Sequence, residues 1–188
     1  MKLNVKRILQ FLLILVVFSS VADSNSRSYS SEVSIPPVSV FSDLDGTWEG
    51  NFIGYDLKGN ILYKIKVRQI YKTVNRTTQS VEIEDTLSNG EVIRGKGRNI
   101  ADIKSDGSLE LKCIVEKSNG DRVDLIGRLT EGPGGEKKLI WYSMDDNKQE
   151  MFVEGVEKSG EETFYTISGM GIYGNTAVLM KGRYKKVE

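Results

Sequence analysis

Apolar and polar residues alternate with a period of two along most of the chain after residue 42. Between residues 61 and 68 the odd positions hold apolar or aromatic side chains, whereas the even positions from 64 onward hold Lys, Lys and Arg. Such alternation is typical of a half-buried β-strand. The pattern predicts further strands at residues 81–84, 109–116, 123–129, 138–144, 151–157, 162–168 and 176–184. Because no comparable run has a helical period, the sequence predicts an all-β domain.

Short turn sequences separate the predicted strands. Asn-Gly stands at residues 89–90 and 119–120, and Asp-Gly stands at residues 106–107. Both dipeptides readily take the positive φ angles that tight hairpins need. Consecutive hairpins predict about eight to ten antiparallel strands in up-and-down order. An open sheet of that size exposes two edges, so we expect it to close into a barrel whose interior can hold one small ligand.

The sequence before this domain has a different character. Residues 1–22 predict a signal peptide, with Lys and Arg near the start, an apolar stretch at 8–18 and small residues at positions 20 and 22. An uncleaved N-terminal anchor is the alternative. Residues 23–42, rich in Ser, predict a flexible linker, and residues 43–188 form the barrel domain. We therefore expect an exported protein of the periplasm, cell envelope or extracellular space, with no stable membrane span after cleavage.

Composition excludes several classes of function. Lys plus Arg and Asp plus Glu both number 26, so the net charge is zero. This argues against a nucleic-acid partner and against electrostatic anchoring to a membrane. Histidine is absent, which removes Ser-His and Cys-His nucleophilic sites, His-ligated haem and nearly all zinc sites. The single cysteine, Cys113, lies on the apolar face of a predicted strand, so we expect it to be a core residue. No cofactor is expected.

The two ends of the predicted domain carry a resemblance to a known superfamily. Gly46 and Trp48 form a Gly-x-Trp motif at the first strand, and Arg183 lies in the last strand. This arrangement resembles the calycins, which include lipocalins, avidins and fatty-acid-binding proteins. The resemblance implies that Gly46 lets the chain begin the barrel tightly and that Trp48 closes the barrel base. It also implies a cation–π contact of Arg183 over Trp48.

Candidate ligand contacts come from arginines and aromatic residues on the predicted strands. Arg94 and Arg98 share one strand face, and with Arg128 they predict an interior cationic cluster for a ligand carboxylate. The alternative is a solvated outer face, because buried charge is costly. Among the aromatic residues of the later strands, the following are predicted to line an apolar pocket: Trp141, Tyr142 and Tyr165. A filled core is the alternative for these residues.

Two further motifs resemble functional sites but fit a structural explanation better. Residues 169–174 match G-x-G-x-x-G, but that fingerprint binds nucleotides only at a turn from a strand to a helix, and here a strand-like sequence follows. Glu82 and Glu84 point to one strand face opposite Val81 and Ile83, which predicts solvated positions and not two carboxyl groups facing across a cleft.

These patterns lead to one functional prediction and two alternatives. The prediction is an exported barrel that binds a small, mainly apolar or amphipathic molecule inside and is not an enzyme. One alternative is an envelope or inhibitor protein with a filled barrel that acts through contacts with an unidentified protein partner. The other is an enzyme that uses carboxylates inside the barrel.

Overall fold

The computed structural model describes residues 40–105, 108–131, 135–144 and 148–187, which all belong to one compact unit, residues 32–188. The predicted signal peptide, most of the predicted linker and the Asp-Gly turn at 106–107 lie outside the described residues. Within them, a short 3-10 turn at Ser42–Leu44 precedes ten strands. The strands are β1 Gly46–Tyr55, β2 Ile61–Asn75, β3 Thr78–Thr86, β4 Val92–Ile103, β5 Leu109–Lys117, β6 Arg122–Glu131, β7 Lys137–Met144, β8 Lys148–Ser159, β9 Glu162–Tyr173 and β10 Thr176–Lys186.

The ten strands form a closed antiparallel barrel in up-and-down order. Each strand pairs with its neighbours in the sequence, and β1 also pairs with β10, in a register that joins Trp48 to Lys186 and Tyr55 to Leu179. The predicted Asn-Gly turns hold Gly90 at φ 86° and Gly120 at φ 89°, the conformation expected for tight hairpins. The prediction of an all-β barrel is confirmed, and closure leaves no sheet edge exposed.

The N-terminal turn closes one end of the barrel, which we call the closed end. Phe41 and Leu44 are buried there, and the Trp48 Nε1–H donates a hydrogen bond of 2.7 Å to the Leu44 carbonyl. Gln79, fully buried, donates through Nε2 to the Phe41 carbonyl at 2.9 Å and to Asp45 Oδ1 at 2.8 Å. The buried Gln79 amide thus has partners for both its nitrogen and its oxygen, because Asn99 Nδ2 donates to Gln79 Oε1 at 3.0 Å. Phe41, which the sequence places within the linker, packs into the barrel base.

Gly46 begins β1 and Trp48 is buried at the closed end, but the predicted contact of Arg183 with Trp48 is wrong. Gly46 has φ 129°, a conformation that favours glycine. The Arg183 guanidinium lies over the Phe164 ring, 3.4 Å from its centroid. Alternation along β10 buries Tyr184 and therefore turns Arg183 to the outer face. The cation near Trp48 is instead the Lys186 ammonium, 5.3 Å from the ring centroid.

Aromatic side chains fill the half of the barrel next to the closed end. The Tyr165 ring lies 5.8 Å from Trp48, 5.8 Å from Tyr71 and 5.5 Å from Tyr184, centroid to centroid. All four side chains are buried. Tilted and edge-on aromatic pairs at these distances add to the stabilisation from burial. In the part of the chain that the structure describes, no helix is long and apolar enough to cross a membrane.

Candidate functional site

A cavity of about 240 Å³ lies inside the barrel toward the end opposite Trp48, which we call the open end. Inward-facing positions of β1, β2, β3, β5, β6, β8, β9 and β10 supply its walls, because residues two apart on a strand face the same side. The apolar part of the lining consists of Phe52, Ile65, Val67, Ile83, Val123, Leu125, Phe152, Ile167 and Met180. The interior is therefore filled near the closed end and hollow near the open end.

Two ion pairs lie in the cavity lining, near the open-end termini of their strands. Lys117 Nζ lies 2.9 Å from Asp85 Oδ2, and Lys148 Nζ lies 3.0 Å from Glu150 Oε2. The Tyr173 hydroxyl donates a hydrogen bond to Glu150. Burial, together with the charge of Glu150, raises the pKa of Tyr173, so its hydroxyl keeps its proton. Each pair is nearly neutral overall, and the mouth of the cavity has little net charge.

A fifth charged side chain, Glu154 on β8, lies deeper in the cavity lining. Its Oε2 accepts a hydrogen bond of 2.8 Å from the Trp141 Nε1–H. Burial raises the pKa of Glu154 to about 7, although hydrogen bonds from Tyr165 and Trp141 favour the charged form and oppose this rise. The carboxyl group therefore changes charge near neutral pH, and it can accept a hydrogen bond from a ligand or exchange a proton with it.

A chain of polar contacts supports this carboxyl group from the closed-end side. Tyr165, which hydrogen-bonds to Glu154, lies with its hydroxyl 3.5 Å from that of Tyr71. The Tyr71 hydroxyl donates at 3.2 Å to Gln69 Oε1, and Gln69 also lines the cavity. Burial raises the pKa of both tyrosines well above the ordinary value, so they act as neutral donors and acceptors. The network fixes the position of Glu154.

The predicted interior arginine cluster is wrong. The side chains of Arg94, Arg98 and Arg128 are all exposed, and Arg94 forms an ion pair of 3.0 Å with Glu84 on the outer face. Gly97 lies inside instead, where an added Cβ would approach the Ile114 carbonyl oxygen to 1.9 Å. Glycine between the arginines allows β4 and β5 to approach closely. The solvated outer face is where the structure places these charges.

The predicted aromatic residues divide between the two faces of the wall. Trp141 and Tyr165 are buried inside the barrel and contact Glu154. Tyr142 lies on the outer face, where it pairs with Met151 of β8, because its neighbour Trp141 occupies the inner position. A contact of Trp141 or Tyr165 with a ligand stays a prediction.

The polar residues that line the cavity were not predicted from the sequence. Asp85 follows Val81 and Ile83 at the same period of two, and Lys117 follows Val115 on an inner face. Glu154 alternates in the same way with Phe152. The sequence feature that could have identified them is a charged residue at the alternate positions that otherwise hold the apolar residues of a strand. It is clearest where that residue lies near the end of the strand.

The other motifs have structural explanations. Residues 169–174 lie on β9 and in the turn after it, with no helix following, so the nucleotide-binding arrangement is not formed. Glu82 forms an exposed ion pair with Lys96, as expected for a solvated position. The described residues contain no group of three or more His, Cys, Asp or Glu that could hold a metal ion.

Comparison with known proteins identifies the fold and no family. No family model matches the sequence, and no curated protein matches it. Among solved structures, the S-type phycobiliprotein lyase CPES from Guillardia theta is 12% identical, with 79% of this chain and 89% of that chain covered and a TM-score of 0.53. A redesigned beta barrel is 14% identical, with coverage of 81% and 98% and a TM-score of 0.38. At such identity the likeness to the lyase shows the barrel fold alone.

Proposed function

We propose that the protein binds a small, mainly apolar ligand in the open-end cavity. The observation that carries this proposal is the division of the interior, which is packed by Trp48 and three tyrosines near the closed end but hollow near the open end. Pockets for small molecules are typically apolar with a few placed polar groups. The nine apolar side chains around the single deep carboxyl group of Glu154 fit that description.

The size and charge of the cavity restrict the ligand. Its volume of about 240 Å³ is below the roughly 300–1,000 Å³ of typical ligand pockets, so the ligand is small or extends through the mouth. The two lining ion pairs leave little net charge for a ligand to neutralise. We therefore expect an uncharged or weakly basic molecule with one hydrogen-bond donor directed at Glu154.

The two alternatives have weaker support. A barrel that acts only through protein contacts, with a filled interior, accounts for the packed closed-end half but leaves the open-end cavity unexplained. A carboxylate enzyme of the glycosidase type needs two cooperating carboxyl groups. Of the three acidic residues in the cavity lining, Asp85 and Glu150 are held in ion pairs with lysines, and only Glu154 remains unpaired by a cation.

Ligand binding can be tested on the purified protein. Native mass spectrometry should show a bound small molecule that solvent extraction releases. The uncharged fluorescent probe N-phenylnaphthylamine should bind with a rise in emission, because the cavity shields it from water. Replacing Val123, which lines the cavity, by Trp fills the space and should abolish probe binding.

The control for that variant lies one residue away. Asp124 points outward, with its side chain 60% exposed, so Asp124→Trp adds the same indole outside the barrel. We expect the Asp124→Trp protein to bind the probe like the unmodified protein. Equal binding by all three proteins, or no binding by the unmodified protein, would contradict the cavity as the ligand site.

We also propose that the protein is exported, on the strength of the apolar stretch at residues 8–18 and the small residues before position 23. The expected result is a mature chain that starts at about Asp23. N-terminal sequencing of the protein recovered from the extracytoplasmic fraction tests this directly. A sequence starting at Met1 would support the uncleaved anchor instead.

A further inference from the structure

Apolar side chains form a continuous row on the outer surface of the barrel. Strand register joins Ile126 to Tyr142, Tyr142 to Met151, and Met151 to Met170. From Met170 the row continues to Leu179 and then to Tyr55. It ends at Ile61, because a shift in the β1–β2 register after Gly54 interrupts the alternation of β2 and pairs Ile61 with Tyr55. We call these seven side chains, one from each of seven adjacent strands, the apolar row: Ile126, Tyr142, Met151, Met170, Leu179, Tyr55 and Ile61.

The apolar row lies toward the open end and is accessible to solvent. Each member is within four residues of the open-end terminus of its strand. Five of the seven are large aliphatic side chains in the exposed class, and the two tyrosines are partly exposed. Further exposed apolar side chains flank the row: Leu57, Leu62, Val153 and Ile172. Single exposed apolar residues are ordinary, but a contiguous set marks an interaction surface.

Four cations lie beside one part of this row, toward the closed end. Across β10, β1 and β2, Lys181, Ile53 and Lys64 are paired in register. Two residues further along the strands, Arg183 and Lys66 flank Asn51 in the same way. We call Lys64, Lys66, Lys181 and Arg183 the cationic block. None of the four forms an ion pair with a residue in the described part of the chain.

Within the described residues, two cationic side chains nearer the closed end are paired with carboxylates, whereas those of the cationic block are not. Further toward the closed end, Lys185 pairs with Glu162 and Arg68 with Glu49. The sequence as a whole has no net charge. Net charge therefore conceals a local positive field on β10, β1 and β2, next to an apolar surface. This face can therefore be attracted to an anionic membrane although the whole sequence has no net charge.

We propose that the open-end face of the barrel docks on an anionic lipid surface, with the apolar row entering the interface and the cationic block contacting the headgroups. Amphipathic surfaces sink roughly 5–10 Å into the boundary between headgroups and acyl chains. Lysines and arginines just behind such a surface meet the negative charge of the headgroups. Along the strands, the apolar row lies nearer the open end and the cationic block lies behind it, which is the order that this docking requires.

A fluid surface fits the apolar row better than a rigid partner does. The row crosses seven of the ten strands of a closed barrel, so its members face different directions around the axis. A rigid protein would cover only part of this curved surface, whereas lipid can surround an end that dips into it. The cavity mouth lies at the same end, so an apolar ligand dissolved in lipid would reach the cavity without crossing water. Docking itself does not depend on the proposed ligand binding.

The test compares two positions at opposite ends of β2. Ile61, in the apolar row, is 62% exposed, and Val74, near the closed end, is 63% exposed. Each is replaced by Cys in the otherwise unmodified protein and labelled with a polarity-sensitive fluorophore. Cys113 does not compete for the label, because burial raises its pKa and keeps the thiol protonated. The label reports on the barrel itself, so an apolar leader that binds lipid does not mimic docking.

The expected result is a blue shift at position 61 but not at position 74 when vesicles of phosphatidylcholine with phosphatidylserine are added. Vesicles of phosphatidylcholine alone should give a much weaker response. Equal responses at the two positions would overturn the proposal. So would a shift at position 61 that grows with protein concentration without vesicles, because that outcome identifies a second copy of the chain as the partner.

Charge reversal tests the cationic block. Lys64→Glu with Lys181→Glu should weaken binding to the anionic vesicles at least about 25-fold, since each lysine near such a surface contributes about a fivefold factor. The control, Lys72→Glu with Lys158→Glu, makes the same change in net charge at exposed positions near the closed end and should have much less effect. Equal losses from both pairs would overturn the proposal. The Val123→Trp protein should still dock, which separates this test from that of ligand binding.

Discussion

Replacing Trp48 by Ala should lower the free energy of unfolding by about 3–5 kcal/mol, the range for truncating a buried aromatic side chain. Trp48 is fully buried, packs against Tyr165 and donates its Nε1–H to the Leu44 carbonyl. The variant leaves a cavity in the filled half of the barrel and an unpaired carbonyl at the closed end. Urea denaturation followed by circular dichroism measures the change.

A double-mutant cycle separates the residues around Trp48. Trp48→Phe and Arg183→Ala should have additive effects, because Arg183 contacts Phe164 on the outer face. Trp48→Phe and Lys186→Ala should be coupled by about 0.5–1 kcal/mol, the value for an exposed cation over an indole. Coupling to Arg183 without coupling to Lys186 would contradict the described closed end and restore the contact that the calycin resemblance implies.

Stability should depend on pH through Glu154, and Glu154→Gln should remove that dependence. Burial raises the pKa of this carboxyl from its ordinary value of 4.5 to about 7 in the folded protein. As pH rises, the unfolded chain therefore loses this proton first, and its ionisation favours unfolding. The contribution of protonated Glu154 to the free energy of unfolding is fully present below about pH 4.5 and is lost as pH rises to 7 and above. At about 1.4 kcal/mol per pH unit, the loss is about 3 kcal/mol.

The comparison is the difference in unfolding free energy between the two proteins, measured by urea denaturation from acidic to mildly alkaline pH. The difference should change by about 3 kcal/mol in favour of the variant, because Gln keeps an acceptor for Trp141 but carries no charge. Glu157→Gln is the matched control on the same strand, with its side chain 51% exposed. A difference that does not vary with pH, or that varies equally for the control, would show that Glu154 is not held in a desolvated site.

Glu154 also illustrates why the candidate site was harder to predict from the sequence than the fold. Alternation divides the residues of a strand into two faces, and the chemistry of solvation assigns charged residues to the outer one. Glu154, Asp85 and Lys117 break that assignment because hydrogen bonds or ion pairs satisfy them inside the barrel. Their partners lie on other strands, 13 residues away for Glu154 with Trp141 and 32 residues away for Asp85 with Lys117, so the alternation within one strand does not reveal them.

The predicted contact between Arg183 and Trp48 was wrong for a related reason. Lys186 and Arg183 are three positions apart on β10, and a period of two puts them on opposite faces. Only the register of β10 against β1, which places Lys186 beside Trp48, determines which cation reaches the indole. The cation near Trp48 belongs to β10, as Arg183 does, but it is Lys186.

By itself, the sequence determined the strands, the Asn-Gly hairpins and the up-and-down order, because backbone alternation and turn geometry are local properties of neighbouring residues. Tertiary structure decided which face of β4 turned inward, where the filled half ended and the cavity began, and which charges met across the barrel. It also aligned the apolar row, whose members are far apart along the chain. These features depend on pairing between strands, and strand register is a property of the closed barrel as a whole.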